Sequence, residues 1–146
     1  IFNEVEITSS STYQSDEQYS KRNVISYENP KTIFCTDSVE DSWICFDFKE
    51  KRIVPNYYMI RSANMNENAA HPKSWVIEGS NDKEKWDLLD DKKNNSSLNG
   101  KNLISSFSIQ NPQSNKYRFI RMRVSENWIK NHILCFNNFE LFGTLL

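Results

Sequence analysis

Histidine and cysteine are the side chains in this sequence best suited to chemistry, and they are few. The chain contains two histidines, His71 and His132, and three cysteines, Cys35, Cys45 and Cys135. His132 and Cys135 are close enough in sequence to act as a general base and a nucleophile. Cys135 opens an apolar run, however, where a thiol is typical of a buried, unreactive side chain. We therefore favour a buried thiol and predict no catalytic residues and no enzymatic activity, because motifs such as G-x-S-x-G, H-E-x-x-H and a Gly-rich phosphate loop are also missing from the sequence.

Two sets of side chains have the donor types of a metal site. The potential zinc set comprises Cys35, Cys45, His132 and Cys135. No two of these cysteines form a C-x-x-C pair, and the ligands would have to converge from distant strands. Asp37, Glu40 and Asp41 form an acidic segment, but their spacing matches no known calcium loop and favours a solvated turn. We expect neither a metal nor a cofactor.

Charge and hydropathy exclude two classes of partner. The chain of 146 residues has 18 basic and 19 acidic residues and a net charge of -1, so it lacks the basic surface that nucleic-acid binding requires. Its densest basic cluster, Arg118, Arg121 and Arg123, alternates with apolar residues as on a solvated strand face. No apolar run approaches the ~18 residues of a membrane-spanning helix. We expect no nucleic-acid partner and no membrane association.

Length and cysteine content predict the organisation of the chain. Residues 1–146 have the size of a single domain, and the start at Ile1 indicates a domain excised from a larger protein. An odd cysteine count cannot form a closed disulfide framework, so reduced thiols and a cytoplasmic location are expected. A signal peptide on the full-length chain would instead indicate secretion. The overlapping glycosylation sequons at residues 94–97 point the same way, but such matches arise often by chance in an Asn-rich sequence.

Short β-rich runs separated by turn signals dominate the sequence and predict an all-β antiparallel sandwich or barrel. The predicted strands cover residues 43–48, 57–62, 75–78, 86–89, 103–109, 117–124 and 135–142. Residues 20–26 are the single helical candidate. Three long polar connections, 8–31, 63–73 and 125–134, are where binding residues are expected, because long loops on a rigid sandwich usually carry function.

Several segments, read in order, resemble a known family. Residues 42–48 (SWICFDF), 71–82 (HPKSWVIEGSND) with the following Trp86, 117–121 (YRFIR) and 139–143 (FELFG) are similar to the strands of the coagulation factor type C, or discoidin, domain. The resemblance covers at least residues 34–143 and implies an eight-stranded jelly-roll β-sandwich with galactose-binding-like topology. Members of that family bind glycans, phospholipid headgroups, collagen or other proteins through loops at one end.

The resemblance implies a binding module and leaves its partner open. The sequence lacks the cysteine pair that joins the two ends of secreted members. Its segments around residues 46–62 and 74–82 are most similar to intracellular relatives, which often follow BTB domains. On this ground we favour recognition of a protein partner by a monomeric domain. A glycan-binding or adhesion module is the alternative, and phospholipid headgroup binding is less favoured.

Six residues are candidates for ligand contact: Arg61, Met65, His71, Asn127, Trp128 and His132. Trp128 lies in a polar stretch, and three roles are open to it. It caps the sandwich, it stacks on a sugar or anchors a partner protein, or it dips into a membrane. Arg61 ends a strand next to the 63–73 loop, where its guanidinium can bind a carboxylate. An internal pair with Asp47 or Glu78 is the alternative that we favour slightly.

Overall fold

The computed structural model of the chain describes residues 5–146 and shows an antiparallel β-sandwich. Its strands are β1 (Glu6–Ser9), β2 (Phe34–Cys35), β3 (Trp43–Asp47), β4 (Ile53–Arg61), β5 (Pro72–Ser80), β6 (Asp87–Lys92), β7 (Ile104–Ser108), β8 (Phe119–Asn127), β9 (Cys135–Phe136) and β10 (Asn138–Leu145). The helical candidate is confirmed as a short 3-10 segment, Lys21–Ile25, preceded by two 3-10 turns, Tyr13–Ser15 and Glu17–Tyr19.

Eight of the described strands form the two sheets of the sandwich. The five-stranded sheet has the order β1-β3-β8-β5-β6, and the three-stranded sheet has the order β10-β4-β7. The two remaining strands, β2 and β9, pair only with each other. This arrangement confirms the predicted eight-stranded sandwich, and β5 and β6 are direct neighbours, as the closeness of their predicted runs in the chain indicated.

Strand register defines two ends of the sandwich. Pro72 at the start of β5 pairs with Asn127 at the end of β8. Arg61 at the end of β4 pairs with Asn138 at the start of β10. Residues 62–71 connect these two places, so both places lie at one end of the sandwich. The segments 10–33, 93–103 and 128–134 lie at the same end, which we call the loop end. The connections 48–52, 81–86 and 109–118 lie at the opposite end, the turn end.

The core lies between the sheets and follows the alternation of the sequence. On β8, Ile120, Met122 and Val124 point inward and are at most 2% exposed, as predicted. On β3, Ile44 and Phe46 are buried in the same cluster, and Phe48 packs against it. Buried and exposed residues alternate along these strands because successive side chains of a strand point to opposite faces of the sheet.

Gly143, near the end of β10, is the last residue of the family-like segment 139–143, and the strand pairing there requires a glycine. The pairing of β10 with β4 shifts register between Phe142 and Gly143. A Cβ atom at Gly143 would collide with the carbonyl oxygen of Val54, so the strands can approach each other only at a residue without a side chain.

A buried hydrogen-bond chain crosses the core between the two sheets. The hydroxyl of Tyr58 donates to Asp90 Oδ2 at 2.6 Å and accepts the indole N–H of Trp75 at 2.9 Å. Tyr58 and Trp75 are both fully buried. Burial, together with the hydrogen bond to Asp90, raises the pKa of Tyr58, so its hydroxyl keeps its proton and remains a donor.

Removal of the Tyr58 hydroxyl is expected to destabilise the fold. Tyr58→Phe leaves the buried Trp75 N–H without an acceptor, and a buried unpaired donor costs about 1–3 kcal/mol. Urea unfolding measures this loss. The matched control is Tyr57→Phe, because Tyr57 is 39% exposed and keeps its ring stacked on Phe142 in the variant. Equal stability of the two variants would contradict the proposed role of the Tyr58 hydroxyl.

An ion pair near the turn end predicts a pH dependence. Burial opposes ionisation of Asp47, but hydrogen bonds from the Arg118 guanidinium, at 2.8 Å, and from the Lys49 N–H prevail and lower the pKa of Asp47. A carboxylate with a depressed folded-state pKa stabilises the fold above its unfolded value of about 3.9, and this contribution is lost as the pH falls through the folded-state pKa.

We therefore expect Arg118→Met to lower the urea midpoint at neutral pH and to match the wild type at a pH of about 2, where Asp47 is protonated in both proteins. Lys49→Met is the control, since Lys49 and its partner Glu6 are both more than half exposed. An exposed pair of this kind contributes little to stability. A difference that persists at low pH would show that Arg118 acts through packing.

Candidate functional site

The long connections of the loop end converge on a small apolar cluster of their own. Cys35, Ala63, Ala70 and Cys135 form its buried part, which we call the loop-end core. Five half-buried side chains pack against it: Tyr13, Tyr19, Ile33, Met65 and Ile133. Six of these nine residues come from the three connections that the sequence singled out, so the structure brings the predicted binding loops together at one end: Tyr13, Tyr19, Ala63, Met65, Ala70 and Ile133.

His71 holds the loop between β4 and β5. Its ring is fully buried, and its Nε2 atom lies 3.0 Å from the carbonyl oxygens of both Met65 and Asn66. Two carbonyls require a donor, so Nε2 carries a proton. Nδ1 is buried and has no partner among the described residues. The buried His71 ring thus fixes the backbone of Met65 through a hydrogen bond to its carbonyl oxygen.

Asn127 organises the turn that carries Trp128. Its amide nitrogen donates to Asn131 Oδ1 at 2.6 Å and to the carbonyl oxygen of Ile133 at 2.9 Å. Its amide oxygen accepts the backbone N–H groups of Ile129 and Asn131, each at 3.2 Å. The strand β8 extends to Asn127, so the loop predicted over 125–134 begins three residues later than expected.

Trp128 is half-buried at the surface of this turn and is covered by a lysine. The Lys73 ammonium lies 4.8 Å from the centre of the Trp128 ring, and the Trp128 backbone N–H donates to the carbonyl oxygen of His71. The indole N–H is buried and finds no acceptor within residues 5–146. A long, flexible lysine is the cover most easily displaced by a ligand, because its ammonium can turn to solvent.

Arg61 is buried and engaged with neutral groups. Its Nε atom donates to Asn137 Oδ1 at 2.7 Å, another guanidinium nitrogen donates to the carbonyl oxygen of Tyr27, and the guanidinium lies 4.4 Å from the centre of the Tyr27 ring. The internal pair with Asp47 or Glu78 is therefore wrong.

The positions of the strands explain why the predicted ion pair of Arg61 is wrong. Asp47 and Glu78 face the arginines of β8 and of the segment just before β8. Asp47 binds Arg118, and Glu78 binds Arg121 and Arg123. Arg123 also binds Asp41 at 3.0 Å. The basic cluster of the sequence is thus a set of ion pairs on the outer face of the five-stranded sheet.

His132 and two side chains that the sequence analysis missed complete the surface. His132 is exposed and is anchored through its backbone N–H, which donates to Ser38 Oγ at 3.0 Å. Tyr13 and Lys73 were missed because neither has a local sequence signal. Tyr13 forms an edge-on ring pair with Tyr19, and Lys73 acquires its position only through the pairing of β5 with β8.

Metal-ligating side chains are not grouped in the part of the chain that the structure describes. Among residues 5–146, no three His, Cys, Asp or Glu side chains are placed to hold a metal ion. Within the same residues, no helix is long and apolar enough to cross a membrane.

An apolar cavity lies at one edge of the sandwich. It has a volume of about 300 Å³ and opens between the edge strands β1 and β10, with a lining that includes Ile7, Ile25, Phe48 and Leu141. At the loop end, Tyr13, Met65, Lys73 and Trp128 are half-buried and His132 is exposed. This set, the loop-end surface, is the candidate site.

A change at Asn127 tests how the site is held. Asn127→Asp replaces the amide nitrogen, which donates both hydrogen bonds, with one carboxylate oxygen that faces Asn131 Oδ1 and the carbonyl oxygen of Ile133. We expect a loss of about 2 kcal/mol, because buried acceptors then face one another. Thermal unfolding and amide exchange of residues 128–134 measure the effect. Asn131→Asp, at a half-buried position, is the control; a larger loss in that variant would contradict the central role of Asn127.

Comparison with solved structures identifies the architecture. The CBM32-5 module of CpGH89 from Clostridium perfringens, solved in complex with GalNAc-β-1,3-galactose, has a TM-score of 0.73 at 12% identity over 97% of this chain and 96% of that chain. CBM32-3 from a family 31 glycoside hydrolase of the same organism has a TM-score of 0.73 at 14% identity, with 97% and 92% covered. The CBM32 of AlyQ, solved with 4,5-unsaturated mannuronic acid, has a TM-score of 0.70 at 16% identity, with 95% of each chain covered.

Sequence comparison gives the family. No curated protein sequence matches the chain. The family model of the F5/8 type C domain matches residues 6–136, from the first residue of β1 to the last residue of β9. The chain belongs to the F5/8 type C domain family.

Proposed function

We propose that this domain is a non-catalytic carbohydrate-binding module whose loop-end surface contacts the saccharide. Solved modules that share its fold over nearly their whole length contain a bound disaccharide in one case and an unsaturated uronic acid in another. Identities of 12% and 16% establish only a common fold, so the proposal depends on the residues of this chain.

Trp128 is the observation that carries the proposal. Its half-buried ring lies on a turn fixed by Asn127 and is covered by the ammonium of Lys73. An aromatic ring supplies a flat apolar surface for the C–H face of a sugar, and a pre-ordered turn limits the entropy lost on binding. Displacement of Lys73 by the sugar would expose this ring.

Polar groups around Trp128 are suited to hydroxyl recognition. The indole N–H of Trp128 and the Nδ1 atom of His71 have no partner among the described residues. Once Lys73 is displaced, a sugar hydroxyl can accept from the indole N–H of Trp128, whereas the fully buried His71 ring positions the loop and does not contact the sugar. Lys73 and the exposed His132 add donors, and Met65 adds apolar contact area.

The six residues predicted from the sequence then fall into two groups. Trp128, Met65 and His132 are proposed to touch the ligand. Arg61, His71 and Asn127 are proposed to act chiefly by positioning the loops, since all three are buried.

A protein partner, which the sequence alone favoured, is the competing hypothesis. The solved structures that share the fold include saccharide complexes and thus favour the carbohydrate alternative. The two hypotheses predict different results in a direct binding assay.

A glycan array that contains both neutral and uronic-acid saccharides, followed by calorimetry on the best binder, tests the proposal. Trp128→Ala is expected to weaken binding by about 30-fold, which corresponds to roughly 2 kcal/mol for the loss of a central aromatic contact. Trp86→Ala is the matched control, because Trp86 lies at the turn end against Arg121 and should leave affinity unchanged.

Circular dichroism of both variants separates loss of contact from loss of fold. A blank array with a folded wild-type protein, or equal affinities of the two variants, would overturn the proposal. Capture of one defined protein together with a blank array would favour the protein-partner hypothesis instead.

A further inference from the structure

Two of the three cysteines face each other inside the loop-end core. Cys35 on β2 and Cys135 on β9 are directly opposite in the antiparallel register. All three cysteines of the chain are free thiols, and all are buried. Cys45 lies apart, on β3 of the five-stranded sheet, opposite Thr8 and Arg121.

Backbone hydrogen bonding places the pair at the close position of the ladder. The Thr36 N–H donates to the carbonyl oxygen of Leu134, one step along from the cysteines. Hydrogen-bonded and non-hydrogen-bonded pairs alternate, so Cys35 and Cys135 occupy a non-hydrogen-bonded pair, where Cα atoms are typically about 4.5 Å apart. Disulfides form at Cα separations of about 4.4–6.8 Å, and the pair therefore falls at the short limit of this range.

The two cysteine side chains lie on the same face of the strand pair, because residues directly opposite in an antiparallel ladder point to the same side. Burial, and then a hydrogen bond with Cys35, raise the pKa of Cys135 well above its usual value.

From this geometry we propose that Cys35 and Cys135 are a redox modification site, which forms a reversible disulfide across β2 and β9 beneath the loop-end surface. The bond would join the segment that follows Tyr13 and Tyr19 to the segment that follows Trp128. Both segments already pack on the loop-end core, so the bond requires no large rearrangement.

A low-molecular-weight disulfide such as oxidised glutathione is the oxidant. Cys35 is 7% exposed and Cys135 is 0% exposed, so Cys35 reacts first. Its thiolate attacks one glutathione sulfur and releases a glutathione thiol; the thiolate of Cys135 then attacks the Cys35 sulfur of the mixed disulfide and releases the second.

One S–S bond breaks and one forms, the two cysteine protons pass to the two released thiols, and glutathione gains the two electrons that the cysteines lose. Because Cys135 must deprotonate, the second step is faster at higher pH.

The closeness of the two Cα atoms predicts that the bond is readily reduced. Deviation from relaxed disulfide geometry makes a disulfide more reducible, and bonds of this kind are those used in regulation. Excess thiol should therefore restore the dithiol.

The experiment exposes the folded, reduced chain to oxidised glutathione at about pH 8.5, where more thiolate is present. After an acid quench, the unfolded protein is alkylated and the cysteines are located by peptide mass mapping. We expect free thiols to fall from three to one, with the Cys35 and Cys135 peptides linked and lighter by two hydrogen atoms, and Cys45 still free. Cys45 lies opposite Thr8 and Arg121 in the strand ladder, so it has no neighbouring cysteine with which to form an intramolecular disulfide.

The matched variants are Cys45→Ser, which should form the same link and leave no free thiol, and Cys135→Ser, which should form no intramolecular link. The wild-type peptide map decides the result even where a serine variant fails to fold. Three free thiols after an exposure that oxidises the urea-unfolded chain would overturn the proposal, as would links that involve Cys45 or a second chain.

Discussion

The hydrogen bonds between Arg61 and Asn137 connect the rigid sandwich to its loops. Asn137 donates its backbone N–H to the Arg61 carbonyl oxygen at 2.9 Å, and its amide oxygen accepts the guanidinium at 2.7 Å. The amide nitrogen of Asn137 then reaches the carbonyl oxygens of Asn29 and Thr32. A segment of more than twenty residues without a β-strand, between β1 and β2, is thereby fixed to the ends of β4 and β10.

This arrangement follows from the cost of burying unpaired polar groups. Irregular segments cannot satisfy their backbone groups in a ladder, so side chains must do so where the segments are buried. At the loop end asparagine takes this role, because one amide supplies both donors and acceptors. Asn137, Asn127 and Asn138 are each at most 2% exposed, and each bonds to a backbone group of a loop or of a 3-10 segment.

Much of the fold could be predicted from the sequence, because strand alternation and turn composition are local properties. The inward faces of β3 and β8, the pairing of β5 with β6 and the helical segment after Ser20 all follow from short stretches of chain. The convergence of the loops followed from family resemblance. Partners across the fold could not be obtained in this way: Arg61 was paired with the wrong side chains, and Lys73 was missed, since each depends on which strand lies beside which. Strands of two residues, such as β2, are too short to show any period.

The edge strand β6 has a consequence for how such domains coexist at high concentration. It borders the five-stranded sheet and carries three aspartates and one lysine within six residues. An exposed strand edge is a template for pairing with another chain, and charge on that edge is a common protection against it. Two such edges brought together would place a net negative charge on both sides of the contact. Copies of the domain arrayed on a surface or in tandem would therefore tend to remain separate along this edge.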